Sequence, residues 1–565
     1  MSNTTVVFPA HPALKGLLES AKAYPSSAVV VDDEYGFQKT YPELLGDLLQ
    51  TRCMLLEQLR SSTRNGGNVL EEGDRNIGFM ARSGYEFIVA CLAVWAIGGT
   101  CMPMDPDISS ELALTHFEKG QIRCVVSSKD CWQKVEAICN DARKRSGTAE
   151  APKLIGVSCS SAALDWSQTH IQIDDGLLPD EDEACMIMGT SGSTGSPKLV
   201  LQVKRAWCPP PAAEPHQISL SYRACHWTGG AKSLIDPVIC GRKVYVMAAR
   251  VGGRARAEDV LEAIKQHGIT DVPFFDPLML RLMKDVVACG GNKLSGEERQ
   301  RWSSYFTSLP IIRCSAGVVD QSTVDFWKDL TGLQVWTSYG STELTCFVFD
   351  GPQTITGCLG KPNPDCQLKL SEGKSGEILV KVPTIFKAYI GDEEATKAAF
   401  DPDGFFKTGD FAEQQGDNLV YLGRMKTDLV FTGSHKFWTF GIESRILDLP
   451  YVEDACVLAI PVDETKQRCG VVLVFRQDSA SPEPANLAKI RSDLSGSVAE
   501  FMLPTLARVL DGASEVIPRT AAGKPRKWHL MKDYFGSVDG SVPVIVQSRI
   551  EECRFPGPVE YVEVK

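Results

Sequence analysis

The residues best suited to chemistry begin with Met186 to Lys198, Met-Ile-Met-Gly-Thr-Ser-Gly-Ser-Thr-Gly-Ser-Pro-Lys. An apolar run, expected as a strand, leads into a loop of glycines and hydroxyls closed by a lysine. Glycines let backbone N–H groups turn toward an anion, hydroxyls add donors, and an ammonium supplies a point charge. The combination suits a polyphosphate. It is not a Walker A loop, because Ser196-Pro197 separates Gly195 from Lys198, and it lacks the G-x-S-x-G elbow of a hydrolase.

Three further stretches have matching chemistry. Ser338-Tyr339-Gly340-Ser341-Thr342-Glu343 follows a predicted strand, Gln334 to Trp336, and loops at carboxyl ends of strands are where open α/β sheets place ligands. Tyr339 offers a face for a purine and Glu343 a carboxylate for magnesium. Lys407-Thr408-Gly409-Asp410 precedes Gly423-Arg424-Met425-Lys426 by about a hairpin's length. Asp410 suits vicinal ribose hydroxyls, and Arg424 can reach the same nucleotide. Pro518-Arg519-Thr520-Ala521-Ala522-Gly523-Lys524 puts a lysine on a glycine turn. Each stretch alone would read as an ordinary loop.

The elements that must position these loops are those of an α/β protein. Apolar runs at Ala28 to Val31, up to Met188, at Val244 to Met247 and at Gln334 to Trp336 alternate with helical patterns such as Ala257 to Gln266. After about residue 345 the pattern turns β-rich, with predicted strands at Ser375 to Pro383 and Asn418 to Leu422. Beyond Arg424 an α+β segment follows, with predicted strands at Ala455 to Ile460 and Val471 to Phe475 and a helix near Asn486 to Val498. Phe87 to Met104 is uncharged, but Gly98-Gly99, Pro103 and the acidic flanks Glu86 and Asp105 predict a buried helix and a short strand rather than a membrane span.

The chain has 565 residues, 43% of them hydrophobic and 23% charged, which suits a folded protein of several units. Its 59 basic and 71 acidic residues leave a net charge of −12, which disfavours nucleic acid and anionic membranes as partners. The 19 cysteines show no C-x-x-C pair and read as free thiols. The amino-terminal residues show no secretory pattern, so the expected location is cytoplasmic.

In their order and spacing, TSGSTGSPK, YGSTE, TGD, YLGR and PRTAAGK resemble the adenylate-forming superfamily of acyl-CoA synthetases, adenylation domains and luciferases. The likeness extends from Gly84-Tyr85 and Ala96 to Pro103 as far as about Lys527. The resemblance implies an α/β fold: a large N-terminal AMP-binding domain over 1–424, with a small β-barrel-like subdomain over about 345–424, and a mobile α+β lid over 425–565. It implies an ATP-dependent acid–thiol ligase that activates a small-molecule carboxylic acid, fatty or aryl, through an acyl-adenylate. ATP, Mg2+ and coenzyme A are the implied partners.

Site residues carry over by motif. Thr190, Ser191, Gly192, Ser193, Thr194, Gly195 and Lys198 would hold phosphates. Ser338, Tyr339, Gly340, Ser341 and Thr342 would border adenine and the α-phosphate, Glu343 would hold magnesium, and Asp410 and Arg424 the ribose. Lys524 would bridge acid and α-phosphate, Lys426 would be the hinge, and Gly433 and Lys436 would meet CoA. His226, Trp227 and Gly230, with Ser315, Ala316 and Gly317, would border the acyl pocket. The absence of an aspartate from Tyr222 to Lys232 favours an acid without an α-amino group. Leu199, Val203-Lys204 and Gly441 depart from the family's common wording. A ligase that loads a separate carrier protein, and a binding protein that retains the fold, stand as alternatives.

Overall fold

Helices that are apolar on every face must be covered on every face, and this arranges the first 350 residues. In the helix Tyr85–Trp95 every residue except Glu86 is buried, and with the helices Pro12–Ala23, Tyr41–Gln58 and Thr228–Ile239 it forms the middle layer between two sheets. The strand Thr100–Met104 follows at once, so the uncharged run divides into a buried helix and a buried strand. No helix among the described residues is long and apolar enough to cross a membrane.

The computed structural model describes residues 4–32, 36–59, 63–64, 69–146, 152–190, 198–208, 217–247, 255–288, 294–432, 435–462, 467–476, 486–512, 514–520, 523–536 and 550–553. Ser191, Gly192, Ser193, Thr194, Gly195 and Gly433 lie outside them.

One sheet has seven strands in the order Ala388–Tyr389, Leu199–Val203, Ala184–Gly189, Thr100–Met104, Asn76–Met80, Cys124–Ser127 and Lys153–Gly156. Its central strands are parallel. The other runs Ile218–Ser221, Lys243–Val246, Ala28–Asp32, Phe37–Thr40. Its far face packs on the helices Ala257–Gln266, Pro277–Ala288 and Gln321–Thr331, so helices and sheets alternate in layers.

A third sheet pairs Ile312–Ser315, Val335–Gly340, Phe347–Pro352 and Lys361–Pro362. The strand predicted to end at Trp336 therefore continues to Gly340, and Ser338 to Gly340 belong to it rather than to a following loop. The cause is the antiparallel neighbour, whose Asp350 and Phe349 stand opposite Ser338 and Tyr339.

The β-rich stretch forms a four-stranded antiparallel sheet of Gln367–Leu370, Ser375–Lys381, Phe406–Gln415 and Asn418–Arg424. The smaller C-terminal part has the hairpin Leu429–Thr432 and His435–Trp438, then a sheet of Val452–Pro461, Gln467–Phe475, Leu506–Leu510 and Ile550–Glu552. The helix predicted near Asn486 to Val498 spans Leu487–Leu494, capped by the Asn486 side chain. The described cysteines are free thiols, most of them buried.

Gly360 shows how closely the third sheet is built. Its φ is +83°, and a Cβ there would stand 2.5 Å from the Gly351 backbone nitrogen. Gly360→Ala should therefore destabilise the protein by about 1–3 kcal/mol from the backbone conformation alone. A lowered thermal midpoint is expected; an unchanged one would contradict this reading.

Candidate active site

Described residues of all four stretches meet at one cavity of about 1360 Å³. It is lined by Thr190, Lys198, Ser338 to Glu343, Asp410, Arg424, Lys426 and Lys524, together with Trp227 and Ser315 to Gly317.

Thr190 and Lys198, which flank the glycine-rich motif in the chain, bond to each other. The Thr190 N–H donates to the Lys198 carbonyl at 2.8 Å, and the Lys198 N–H donates to Thr190 Oγ1 at 2.9 Å. The Lys198 ammonium lies 4.1 Å from the centre of the Tyr389 ring, whose hydroxyl donates to Glu343 Oε1 at 3.0 Å. Tyr389 thus ties the end of one motif to the carboxylate of another. It reaches both because Ala388–Tyr389 is the edge strand beside Leu199–Val203.

Asp410 and Arg424 are opposed residues of one antiparallel pair, Phe406–Gln415 with Asn418–Arg424, which explains their spacing in the sequence. Arg424 Nε donates to Asp410 Oδ1 at 2.9 Å, the Tyr339 hydroxyl to Oδ2 at 2.8 Å and the Tyr421 hydroxyl to Oδ1 at 3.2 Å. Burial, the largest influence, would by itself raise the Asp410 pKa, but the charge and hydrogen bond of Arg424, with Lys524 and the Tyr339 hydroxyl, together hold the carboxyl below its ordinary value. Burial and Asp410 together push the Tyr339 hydroxyl up, so it stays a donor.

Lys524 stands on a tight turn. The Gly523 N–H donates to the Thr520 carbonyl and the Thr520 N–H to the Lys524 carbonyl, each at 2.8 Å. Burial, then the neighbouring Arg424, push its ammonium below the ordinary lysine value, while Asp410, Glu343 and Asp428 act in the opposite direction. Among the described residues it makes no ion pair within 4 Å. Two other cations of the basic stretch are used differently. Lys527 pairs with Asp428 at 2.7 Å and Glu443 at 3.6 Å, and Arg519 pairs with Asp454 at 2.7 Å.

The expected acyl-pocket residues divide. Ser315, Ala316, Gly317 and Trp227 line the cavity, where Trp227, Phe274 and Phe347 meet edge-to-face. His226 and Gly230 do not line it. His226 Nε2 lies 3.7 Å from Asp105, and burial lowers its pKa against the pull of Asp105 and Asp107. A Cβ on Gly230 would meet the Ala224 carbonyl oxygen at 2.0 Å, so this glycine lets the chain pack on the preceding turn. Lys436 is exposed on His435–Trp438, away from the cavity lining. Of the departures, Leu199 is buried in its strand and Lys204 donates to the Leu178 carbonyl at 2.7 Å.

Tyr389, Tyr421, Lys527 and Glu443 were missed in the sequence. Tyr421 could have been found from its place in YLGR, on the strand opposite Asp410, and Lys527 from its three-residue spacing to Lys524. Tyr389 carries no local signal.

The AMP-binding enzyme family model matches residues 18–390. The chain belongs to this family. The acyl-CoA ligase oryP of Aspergillus oryzae is 27% identical over 99% of this chain and 100% of its own. The malonate–CoA ligase of Arabidopsis thaliana is 24% identical over 88% of this chain and 85% of its own. The anthranilate CoA ligase AuaEII, solved with anthranoyl-AMP, superposes with a TM-score of 0.74 at 16% identity, covering 93% of this chain and 97% of that one. The AMP-binding enzyme described here is an adenylate-forming acid–thiol ligase.

In this enzyme the Asp410 carboxylate contributes stability that is full above the ordinary carboxylate pKa near 4 and is lost as pH falls through its lower native value. Asp410→Asn should lower the thermal midpoint of the nucleotide-free protein at pH 7. The gap from wild type should close only below about pH 4. A gap that is constant with pH would refute this.

Proposed function

We propose that the enzyme joins a small-molecule carboxylic acid to coenzyme A in two steps at this cavity. In the first, a carboxylate oxygen attacks the α-phosphorus of ATP and the bond to pyrophosphate breaks, leaving an acyl-adenylate. In the second, the CoA sulfur attacks the acyl carbon, the bond to AMP breaks, and the thiol proton is released. The observation that carries this reading is the convergence of Lys524 with Thr190, Lys198, Glu343, Asp410 and Arg424 on one cavity, from segments far apart in the chain.

The first step brings a carboxylate against a triphosphate, so cations and oriented N–H groups must offset their repulsion. Thr190 and Lys198, with the Ser191 to Gly195 loop between them, hold the phosphates. Tyr339 to Thr342 border adenine and the α-phosphate, and Asp410 with Arg424 holds the ribose. The second Glu343 oxygen is available beside the Tyr389 hydroxyl, and a carboxylate in an anion-binding cavity fits Mg2+. When bound there, Mg2+ supplies positive charge to the triphosphate. Lys524 bridges the incoming carboxylate and the α-phosphate.

The acid lies between Trp227 and the Ser315 to Gly317 strand end. Lys426, exposed at the edge of the cavity, is the hinge for exchanging the first step for the second, with Gly433 and Lys436 on the segment that then meets CoA. Purified enzyme with ATP, Mg2+ and a panel of aliphatic, aryl and dicarboxylic acids should give a CoA thioester by mass spectrometry when CoA is present. Acyl-AMP with no thioester would reject CoA as acceptor and favour a carrier protein. No acid-dependent pyrophosphate exchange with any acid would favour a binding protein.

Lys524→Ala should lower adenylate formation on the order of 10²-fold or more. Because burial and Arg424 disfavour the ammonium, kcat/KM for ATP should fall on the alkaline side at a pH below the ordinary lysine value of about 10.4. Lys524→Arg should move that limb upward. A near-wild-type exchange rate in Lys524→Ala would refute the role.

A further inference from the structure

Lys524 reaches the cavity through a chain of contacts that begins outside its own segment. The Gly523 carbonyl, one residue before Lys524, accepts from Arg519 Nη1 at 2.8 Å. Arg519 Nη2 donates to both oxygens of Asp454 at 2.7 Å. Asp454 Oδ1 also accepts from Nη2 of Arg281 at 2.8 Å. Arg281 lies on Pro277–Ala288, a helix of the large N-terminal part that Asp276 caps through the Met279 N–H. All three side chains are well shielded, with exposures of 13%, 15% and 13% for Arg281, Asp454 and Arg519.

The same helix face carries a second bridge. Asp285 stands four residues after Arg281, one turn along, and accepts from Arg476 Nη2 at 3.0 and 3.2 Å. A positive and a negative side chain on the helix thus meet a negative and a positive one on the C-terminal part. The apolar cores do not join there. Among the described residues, the buried clusters of the C-terminal part contain only residues from Val430 onward, and the cluster that includes this helix ends at Val335. Ion pairs without a shared apolar core give orientation and can be re-solvated reversibly, because each released charge regains water.

We propose that Arg281 and Asp454 are a latch that seats the Lys524 turn over the cavity for adenylate formation and opens for thioester formation, so that Arg281 is a positioning residue for the first step. This rests on the reading of Lys524 given above. The latch holds only the arrangement in which Lys524 faces the cavity, so its loss affects one half-reaction. Misplacing a reacting group by about 1 Å lowers rates by up to about 10²-fold.

The test compares the half-reactions, using the panel acid with the fastest exchange. In Arg281→Gln, kcat for acid-dependent pyrophosphate exchange should fall about 10- to 100-fold, with KM for ATP and acid within about threefold of wild type. Thioester formation from supplied acyl-adenylate and CoA should stay at or above the wild-type rate, which also reports folding. Adenylation should rank Arg281→Lys above Arg281→Gln above Arg281→Glu, because the last sets like charges against Asp454. If Lys524→Ala abolishes exchange while Arg281→Gln stays within about threefold of wild type, the latch is wrong and the Lys524 reading stands. If Lys524→Ala retains exchange, that reading fails and the latch with it. A parallel fall of both half-reactions in Arg281→Gln would make Arg281 merely structural and overturn the proposal.

Discussion

A charge removed from water must be paired, or its charged form is disfavoured. This constraint organises everything around the cavity. Asp410 is paired with Arg424 and two tyrosine hydroxyls, Asp454 with two arginines, and Lys527 with Asp428 and Glu443. Lys524 is equally buried, but its opposite charges act from beyond ion-pair distance. A shielded cation whose opposite charges stand beyond ion-pair distance keeps its attraction for an incoming anion. The other pairs keep that attraction from being spent within the protein.

The same constraint resolves the contrast between a chain of net charge −12 and a polyanionic substrate. The basic stretch from Arg519 to Lys532 reads as a local positive patch, yet two of its cations are committed inward. Arg519 braces the turn through Asp454, and Lys527 binds the link segment at Asp428 to Glu443 of the helix Phe440–Leu447. Around Lys524, local charge is a framework of neutralised pairs. Lys198 is held by a comparable device, since Tyr389 connects its ammonium to Glu343.

Rigid and adjustable parts are separated in the fold. The layers of the N-terminal part bury continuous apolar clusters, which set the places of Glu343, Asp410 and the Ser315 to Gly317 strand end. The C-terminal part has its own clusters and meets the helix Pro277–Ala288 through charges. Packed apolar surface resists small displacements, whereas the charges of an ion pair can exchange each other for water when the pair parts. Lys524, which the second part brings to the cavity, is thus carried by a unit whose apolar clusters are its own.

Local order in the chain determined much of this. The apolar-to-glycine transition at Met188, the spacing of Asp410 and Arg424, and the β-rich change of texture after residue 345 all reflect contacts between near neighbours, which leave a periodic or hairpin signature. The family resemblance rested on such short motifs. Tertiary structure alone decided which of those residues face the cavity. His226 and Gly230 sit in a motif of the expected wording, but the packing of Gly230 on Ala224 and the burial of His226 beside Asp105 leave only Trp227 of the three on the cavity wall. It also decided the extension of the strand to Gly340, which needed a partner strand, and the contacts of Tyr389 and Arg281, which join residues 46 and 173 positions away. Contacts at that separation follow no local pattern, because they depend on how complete layers stack rather than on the residues beside them.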